Sequence, residues 1–242
     1  MPRFHLPPEF WQAGTLAGDE ARHLSQVLRI KPGEMVTVFD GCGRRAAAEV
    51  LTVSRDHVSL QIGDAMTPPA PLPAITLAQA IPKGKNMDLI VQKAVELGIA
   101  AIQPLVTKNT IVHPGEGKSE KWRRTALEAC KQCGQDTLPT IADPLPFDRW
   151  LKSGAGVPPA ANPLRLIASL APGAKPLREM LRAHPGTTAA TLLVGPEGDF
   201  APEETNAALD AGFLPVSLGD IVLRVETATL FCLSALRYEF SE

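Results

Sequence analysis

The chain has 242 residues, with 24 Lys and Arg against 26 Asp and Glu and a formal net charge of −2. Apolar residues make up 45% and charged residues 21%, ordinary globular proportions, and no apolar run approaches the roughly 20 residues of a helical membrane span. The N-terminus, Met1-Pro2-Arg3-Phe4-His5-Leu6, lacks the apolar core of a secretory signal, and Cys42, Cys130, Cys133 and Cys232 are too scattered for a disulfide framework, so a cytoplasmic location is expected. The near-neutral total argues against a general polyanion binder, but it averages unlike parts: residues 1–66 carry −1, residues 83–131 carry +4 and residues 132–242 carry −5.

Asp19–Leu28 places Ala21, Leu24 and Leu28 at i, i+3 and i+7, which predicts a helix. Met35–Phe39, Ala46–Val53 and His57–Ile62 read as strands, punctuated by Gly33 and the Asp40-Gly41-Cys42-Gly43 turn. A small antiparallel β domain is expected, closed as a barrel because closure hides the edges of so few strands. Thr67-Pro68-Pro69-Ala70-Pro71-Leu72-Pro73 supports neither a helix nor a central strand and reads as a stiff connector between domains at 1–70 and 74–242.

Beyond the connector the signals alternate. Ala74–Ile81 reads as a strand, and Asn86 as the cap of a helix to Leu97 with Met87, Ile90, Val91, Ala94 and Val95 buried and Gly98 past its end. Ile99–Val106 reads as a strand, and Ser119–Cys133 as a helix with Trp122, Ala126, Cys130 and Cys133 on one face. The stretch around Lys152–Asn162 reads as a flexible insertion. Strands follow at Leu164–Leu170, Thr191–Val194 and Val216–Leu218, with helices at Lys175–Ala183 and at Pro202–Ala211, where Pro202 suits the first helical position and Gly212 the end. A last helix, Glu226–Phe240, is expected to bury Ala228, Phe231, Cys232, Ala235 and Leu236. Such β/α alternation implies a parallel sheet with helices on both faces and ligands at the carboxyl ends of its strands.

Two strand ends carry candidate chemistry. An apolar strand runs into Gly195-Pro196-Glu197-Gly198, where two glycines allow close backbone approach and Pro196 stiffens the loop. The loop is neither a phosphate P-loop nor a dinucleotide fingerprint. The other strand end is Leu218-Gly219-Asp220-Ile221-Val222-Leu223-Arg224-Val225-Glu226-Thr227. It sets Arg224 at a helix N-terminus, where a cation needs an acidic partner or a task, and Glu226 in the first turn, where a carboxylate is favourable. Cys130-Lys131-Gln132-Cys133 has no second cysteine pair and no nearby histidine pair, so packing rather than metal is expected.

Together these segments resemble the RsmE family of SPOUT-class RNA methyltransferases, which methylates N3 of uracil 1498 in 16S ribosomal RNA. Lys83-Gly84-Lys85-Asn86-Met87-Asp88, with Lys93-Ala94-Val95-Glu96-Leu97-Gly98, is similar to that family's first motif. Arg3-Phe4, His23-Leu24, Val27-Leu28-Arg29 and Gly33 are similar to its PUA-like RNA-binding domain. Two departures stand out. Asp199 replaces a second glycine after Gly198, and Lys131 and Gln135 stand where the family has Glu and Arg.

The resemblance implies a knotted (trefoil) parallel-sheet methyltransferase domain behind a PUA-like β-barrel. It implies S-adenosylmethionine bound in a bent form within the last third of the chain, and a homodimer whose second subunit helps form the RNA site. Cofactor contacts would come from Leu170, Val194, Gly195, Pro196, Gly198, Leu218, Gly219, Ile221, Leu223 and Thr227. Arg224 would stabilise charge developing on the uracil oxygens, and Glu197 or Glu226 would accept the N3 proton. RNA would meet Arg3, Arg22, Arg29, Lys31, Arg44, Lys83, Lys85 and Lys93, within 16S rRNA of an assembled 30S subunit, with no metal and no membrane involved.

Two rivals stand beside this reading. Ribose 2′-O methylation, within the same knotted class, pairs an asparagine with an arginine seven residues on, whereas Asn86 is followed by Lys93. A non-catalytic RNA-binding protein would have no need of Gly195, Gly198, Gly219 and Arg224.

Overall fold

A computed structural model describes residues 1–112, 115, 117–154, 163–171 and 173–240. The N-terminal elements are β1 (Arg3–His5), α1 (Pro8–Trp11), β2 (Thr15–Ala17), α2 (Gly18–Arg22), β3 (Met35–Phe39), β4 (Arg45–Val53) and β5 (His57–Ile62). Period-two burial along β4 turns Ala46, Ala48 and Val50 inward, against a core that includes Phe4, Leu6, Leu16, Leu24, Val38 and Val58. The strand order is β1-β3-β4-β5-β2. The sheet is not wholly antiparallel as expected, since β1 pairs with β3 in parallel, and β1 and β2 stand at the two ends of the order.

The helix expected at Asp19–Leu28 changes character halfway. After α2 the chain enters a π-helical turn, His23–Leu28, which ends at Arg29 in the left-handed region (φ 55°). Bonding from i to i+5 changes the angle per residue, so position i+7 no longer returns to the buried face. Leu24 is buried but Leu28 is 42% exposed.

Contacts divide the chain into two compact units. The first is Met1–Ala70 together with Leu127–Leu138, a segment that pattern reading assigns to the second domain. Within this unit Lys131 Nζ donates to Glu20 Oε1 (2.8 Å) and Glu128 Oε1 (3.1 Å), and Asp136 pairs with Arg3 (2.6 Å) and Arg45 (3.3 Å). Burial pulls the Lys131 ammonium down, but the two carboxylates outweigh it and hold its pKa above the usual lysine value.

The second unit contains β6 (Ala74–Ala80), α3 (Asn86–Glu96), β7 (Ala101–Val106), the first part of α4 (Lys118–Cys133), β8 (Thr140–Ile141), β9 (Leu145–Pro146) and α5 (Phe147–Ser153). It continues through β10 (Leu164–Ala168), β11 (Lys175–Pro176), α6 (Leu177–Arg182), β12 (Ala189–Val194), α7 (Pro202–Asp210), β13 (Leu214–Ser217) and α8 (Val225–Phe240). Eight strands form one sheet in the order β11-β13-β10-β12-β6-β7-β8, with β9 beside β7, and every pairing is parallel. Every residue of β12 is buried, as are the last six of β6, because helices cover both faces at the centre.

The α3 stripe is buried as expected. In α8 the buried set is Val225, Ala228, Thr229, Cys232, Leu233 and Leu236, whereas Phe231 is 49% exposed: the helix turns its 3.6-residue stripe toward the smaller side chains. Asn86 is not the cap of α3 but its first helical residue; Lys85 precedes it without a side-chain capping bond. Helix α5 and the two-residue strands carry too short a pattern to be read. Most of the expected insertion, residues 155–162, lies outside the described residues. No helix among the described residues is long and apolar enough to cross a membrane.

Of the expected packing cysteines, Cys130 and Cys232 are buried, whereas Cys133 is exposed, as is Cys42. Burial pushes the Cys130 and Cys232 thiols up to about 12, away from the reactive thiolate. A thiol-reactive dye should therefore titrate Cys42 and Cys133 in the folded protein, and Cys130 and Cys232 only after unfolding in denaturant.

Candidate functional site

Three strands that end at the same edge of the sheet supply most of one pocket of about 780 Å3. Ala168–Ala171 begin at the last residue of β10, Val194–Glu197 at the last of β12, and Ser217–Asp220 at the last of β13. The segment Ile221–Glu226, with Ala174, Asp199, Ala228 and the first residue of α3, Asn86, completes it. The walls are largely aliphatic. Leu170, Ile221 and Val222 are 65%, 73% and 75% exposed, so apolar side chains face open space where a ligand can cover them. Gly219 has φ +119°, a backbone state that a side chain would strain, and a Cβ on Gly195 would stand 3.1 Å from Asp199 Oδ1 and 3.2 Å from the Phe200 ring.

The candidate carboxylates are held by named donors. Lys83 N donates to Glu197 Oε1 (2.8 Å), and Asn86 Nδ2 donates to Glu226 Oε2 (3.1 Å). Arg224 is exposed and has no ion pair among the described residues, so its guanidinium is available to a ligand. Behind the pocket lies a buried polar link. Thr229 Oγ1 donates to Gln79 Oε1 (2.6 Å), and Gln79 Nε2 donates to Ala80 O (2.9 Å) and reaches Val194 O at 3.5 Å. Gln79 and Thr229 are both fully buried, so the bond ties the first turns of α8 to the point where β12 enters its loop. Gln79 is legible in the sequence only as a lone amide within an apolar strand.

Asp199, where the resemblance leads one to expect glycine, sits at φ 55°, the left-handed geometry that glycine adopts without strain. Its Oδ1 accepts from Phe200 N (2.8 Å), and its carbonyl and that of Gly198 both accept from Asn109 Nδ2 (3.0 and 2.9 Å). The loop geometry is thus kept by a side chain that bonds its own backbone.

Of the residues expected to hold cofactor, Leu170, Val194, Gly195, Pro196, Leu218, Gly219, Ile221 and Leu223 line the pocket, together with Glu197, Arg224 and Glu226. Gly198 and Thr227 do not; Gly198 lines a neighbouring cavity instead, and Thr227 is an exposed residue of α8. The expected basic set divides. Arg3 is paired with Asp136 and stacks on Phe39 at 5.0 Å, Arg44 pairs with Asp40 (3.1 Å) and stacks on Trp11 at 4.1 Å, Arg22 pairs with Asp19, and Lys93 with Glu96 (2.9 Å). Arg29, Lys31, Lys83 and Lys85 are exposed and carry no side-chain ion pair among the described residues.

A cofactor-sized pocket at the carboxyl edge of a parallel sheet, in a chain with a separate small β unit, coincides with two family matches. Residues 68–237 match the RNA methyltransferase domain, and residues 16–63 match the RNA methyltransferase PUA domain. The class is therefore that of RNA methyltransferases with a PUA-type domain. A ribosomal RNA small subunit methyltransferase E from Synechocystis sp. is 32% identical over 92% of this chain and 72% of its own length, and that of Bacillus subtilis is 26% identical over 93% and 90%. The crystal structure of a ribosomal RNA small subunit methyltransferase E from Neisseria gonorrhoeae, bound to S-adenosyl methionine, covers 99% of this chain and 98% of its own at 33% identity, with a TM-score of 0.86. The chain belongs to the ribosomal RNA small subunit methyltransferase E family.

The role of Asp199 is open to a direct check. Asp199→Gly should leave stability within about 1 kcal/mol, because glycine tolerates the same φ, whereas Asp199→Val should cost roughly 1–3 kcal/mol in urea unfolding.

Proposed function

We propose that this chain transfers a methyl group from S-adenosylmethionine to N3 of uracil 1498 in 16S rRNA, acting as a homodimer on the assembled 30S subunit in the cytoplasm. The observation that carries this reading is the aliphatic pocket at the ends of β10, β12 and β13, within a chain of this family. Residues 1–70 would serve as the RNA-binding domain and 74–242 as the methyltransferase domain, with the last third threaded as a trefoil knot. Exposed apolar and aromatic side chains on α8, Phe231 and Tyr238, support burial of that helix against a second copy.

The pocket suits the cofactor in its chemistry. Leu170, Leu218, Ile221 and Leu223 would wall the adenine ring, while Val194, Gly195, Pro196 and Gly219 allow close backbone approach. When bound, S-adenosylmethionine supplies an electrophilic methyl carbon. The chain's own part is then positioning, charge stabilisation and removal of one proton. Holding N3 in line is the largest of these contributions. Arg224 would donate hydrogen bonds to the uracil oxygens as negative charge grows there. Glu197 would accept the N3 proton; Glu226 is the second candidate, already held by Asn86. Affinity for RNA would come from Arg29, Lys31, Lys83 and Lys85, whose charge is not spent internally. The uracil would turn out of its surroundings to reach the pocket.

Labelled methyl transfer to small subunits, with the modified base mapped, tests the whole reading: label at N3 of that uracil is expected, and label on a ribose would favour 2′-O methylation instead. Glu197→Gln should lower the single-turnover rate by on the order of 10²–10⁴ while calorimetric affinity for S-adenosylmethionine stays near wild type; an unchanged rate moves the base to Glu226. Replacing both Lys83 and Lys85 with alanine should flatten the slope of log affinity against log salt by about 1–2, and an unchanged slope removes them from the interface.

A further inference from the structure

Helix α8 carries Glu226 in its first turn and follows directly from Arg224, so the seat of this helix decides where both groups stand in the pocket. Polar contacts tie it to the β6–α3 segment at three heights. At its start Asn86 Nδ2 donates to Glu226 Oε2 (3.1 Å). Near its end Arg237 Nε donates to Leu97 O (2.8 Å) and Arg237 Nη2 to Gly98 O, a cation on the last carbonyls of α3. Between them lies the bond from Thr229 to Gln79, wholly inside the protein. This inner contact also reaches β12: Gln79 is paired opposite Val194 in the parallel sheet, and its Nε2 is 3.5 Å from the Val194 carbonyl. The amide has one sensible orientation. With Nε2 toward two carbonyls, Ala80 O and Val194 O, its oxygen turns to Thr229, because the reverse would set oxygen against oxygen. The Thr229 hydroxyl has a single proton. Val225 O, 2.9 Å away, belongs to the first turn of α8 and accepts from the helix's own amide, so the proton goes to Gln79 at 2.6 Å. Neither side chain lines the pocket, whereas Val194, Val225, Glu226 and Ala228 around them do.

We propose that Gln79 and Thr229 are positioning residues for methyl transfer: their buried bond sets the gap between the Gly195–Glu197 loop and the Arg224–Glu226 turn, and with it the alignment of the target base against the cofactor. The proposal rests on the function stated above and adds to it two residues that touch no ligand. Apolar contact between a helix and a sheet has no preferred direction, whereas a hydrogen bond fixes a length and an angle. Asn86 and Arg237 keep α8 on α3, and Val225, Cys232, Leu233 and Leu236 bury its apolar face, so the helix stays seated when the inner bond is lost. What is lost is the register of the two loops. Transfer needs the reacting atoms held about 3–3.5 Å apart, and a misplacement of about 1 Å costs on the order of 10²-fold in rate.

The test compares three variants of the full chain. Thr229→Val keeps the side-chain volume and loses the bond, Thr229→Ser keeps the bond and loses a methyl group, and Gln79→Met removes the amide. In single-turnover transfer from saturating S-adenosylmethionine to saturating small ribosomal subunits, Thr229→Val and Gln79→Met should each be slower than wild type by about tenfold or more, while Thr229→Ser stays within about threefold. The half-saturating concentration of subunits should move by less than about twofold in all three, since neither side chain meets RNA. The double variant should be no slower than the slower single one, because both changes remove the same bond. A wild-type rate in Thr229→Val, or a loss in Thr229→Ser as large as that in Thr229→Val, overturns the positioning role and leaves packing alone. If urea unfolding shows that Thr229→Val or Gln79→Met does not fold, Thr229→Cys, of similar volume and with a weak donor, decides: an intermediate rate sustains the role and a wild-type rate overturns it. Label at another atom of the RNA, with the same losses in the variants, leaves the positioning pair standing and overturns uracil N3 as the target. A wild-type chain that transfers no methyl group overturns both.

Discussion

Every strand of the eight-stranded sheet runs in the same direction, and the pocket exists because of that constraint. Parallel pairing requires each strand to return through a crossover, so the turns that leave the strands gather at one edge. The glycine loop after β12, the aliphatic loop after β13 and the segment after β10 come from positions far apart in the chain, yet they enclose one space. The same edge continues past β6 and β7, which is why the neighbouring cavity lies beside the first and shares Glu197 with it. The buried centre of the sheet, β6 and β12, supplies the rigidity: both strands are covered on each face, so their loops start from fixed points.

Polar side chains then set the geometry that apolar packing leaves loose. Gln79 and Thr229, both fully buried, join the sheet to α8, where each would cost roughly 1–3 kcal/mol if left unpaired. Asn86 and Asn109 act at the surface of the same edge, one on the Glu226 carboxylate and the other on the carbonyls of Gly198 and Asp199. Asp199 shows that the backbone state is what the loop demands. A carboxylate that bonds the next amide satisfies the φ that glycine would adopt without a side chain.

Charge follows the same economy. Four of the basic residues that read as RNA contacts, Arg3, Arg22, Arg44 and Lys93, are engaged with acids of this chain. Lys131, where the resemblance leads one to expect a glutamate, is half-buried between Glu20 and Glu128. The basic stretch around the first motif is therefore less of a polyanion surface than its composition indicates. Of the basic residues that read as RNA contacts, Arg29, Lys31, Lys83 and Lys85 are left exposed and without an ion pair among the described residues, at two locations in the chain.

Local pattern was enough to determine much of this protein. Periodicity marks the α3 stripe, the strands from β3 to β5 and the alternation that makes the sheet parallel, and the two strand-end motifs identify most of the pocket lining. These features are legible because each depends on residues within a few positions of one another. Tertiary structure alone decided the rest: that Leu127–Leu138 packs with the N-terminal unit, that Arg3 is spent on Asp136, that Gln79 is bonded to Thr229, and that Thr227 and Gly198 fall outside the main pocket. The physical reason is common to them. An ion pair or a hydrogen bond between residues more than a hundred positions apart has no period, and neither residue type nor spacing says which of several acids a given base will meet.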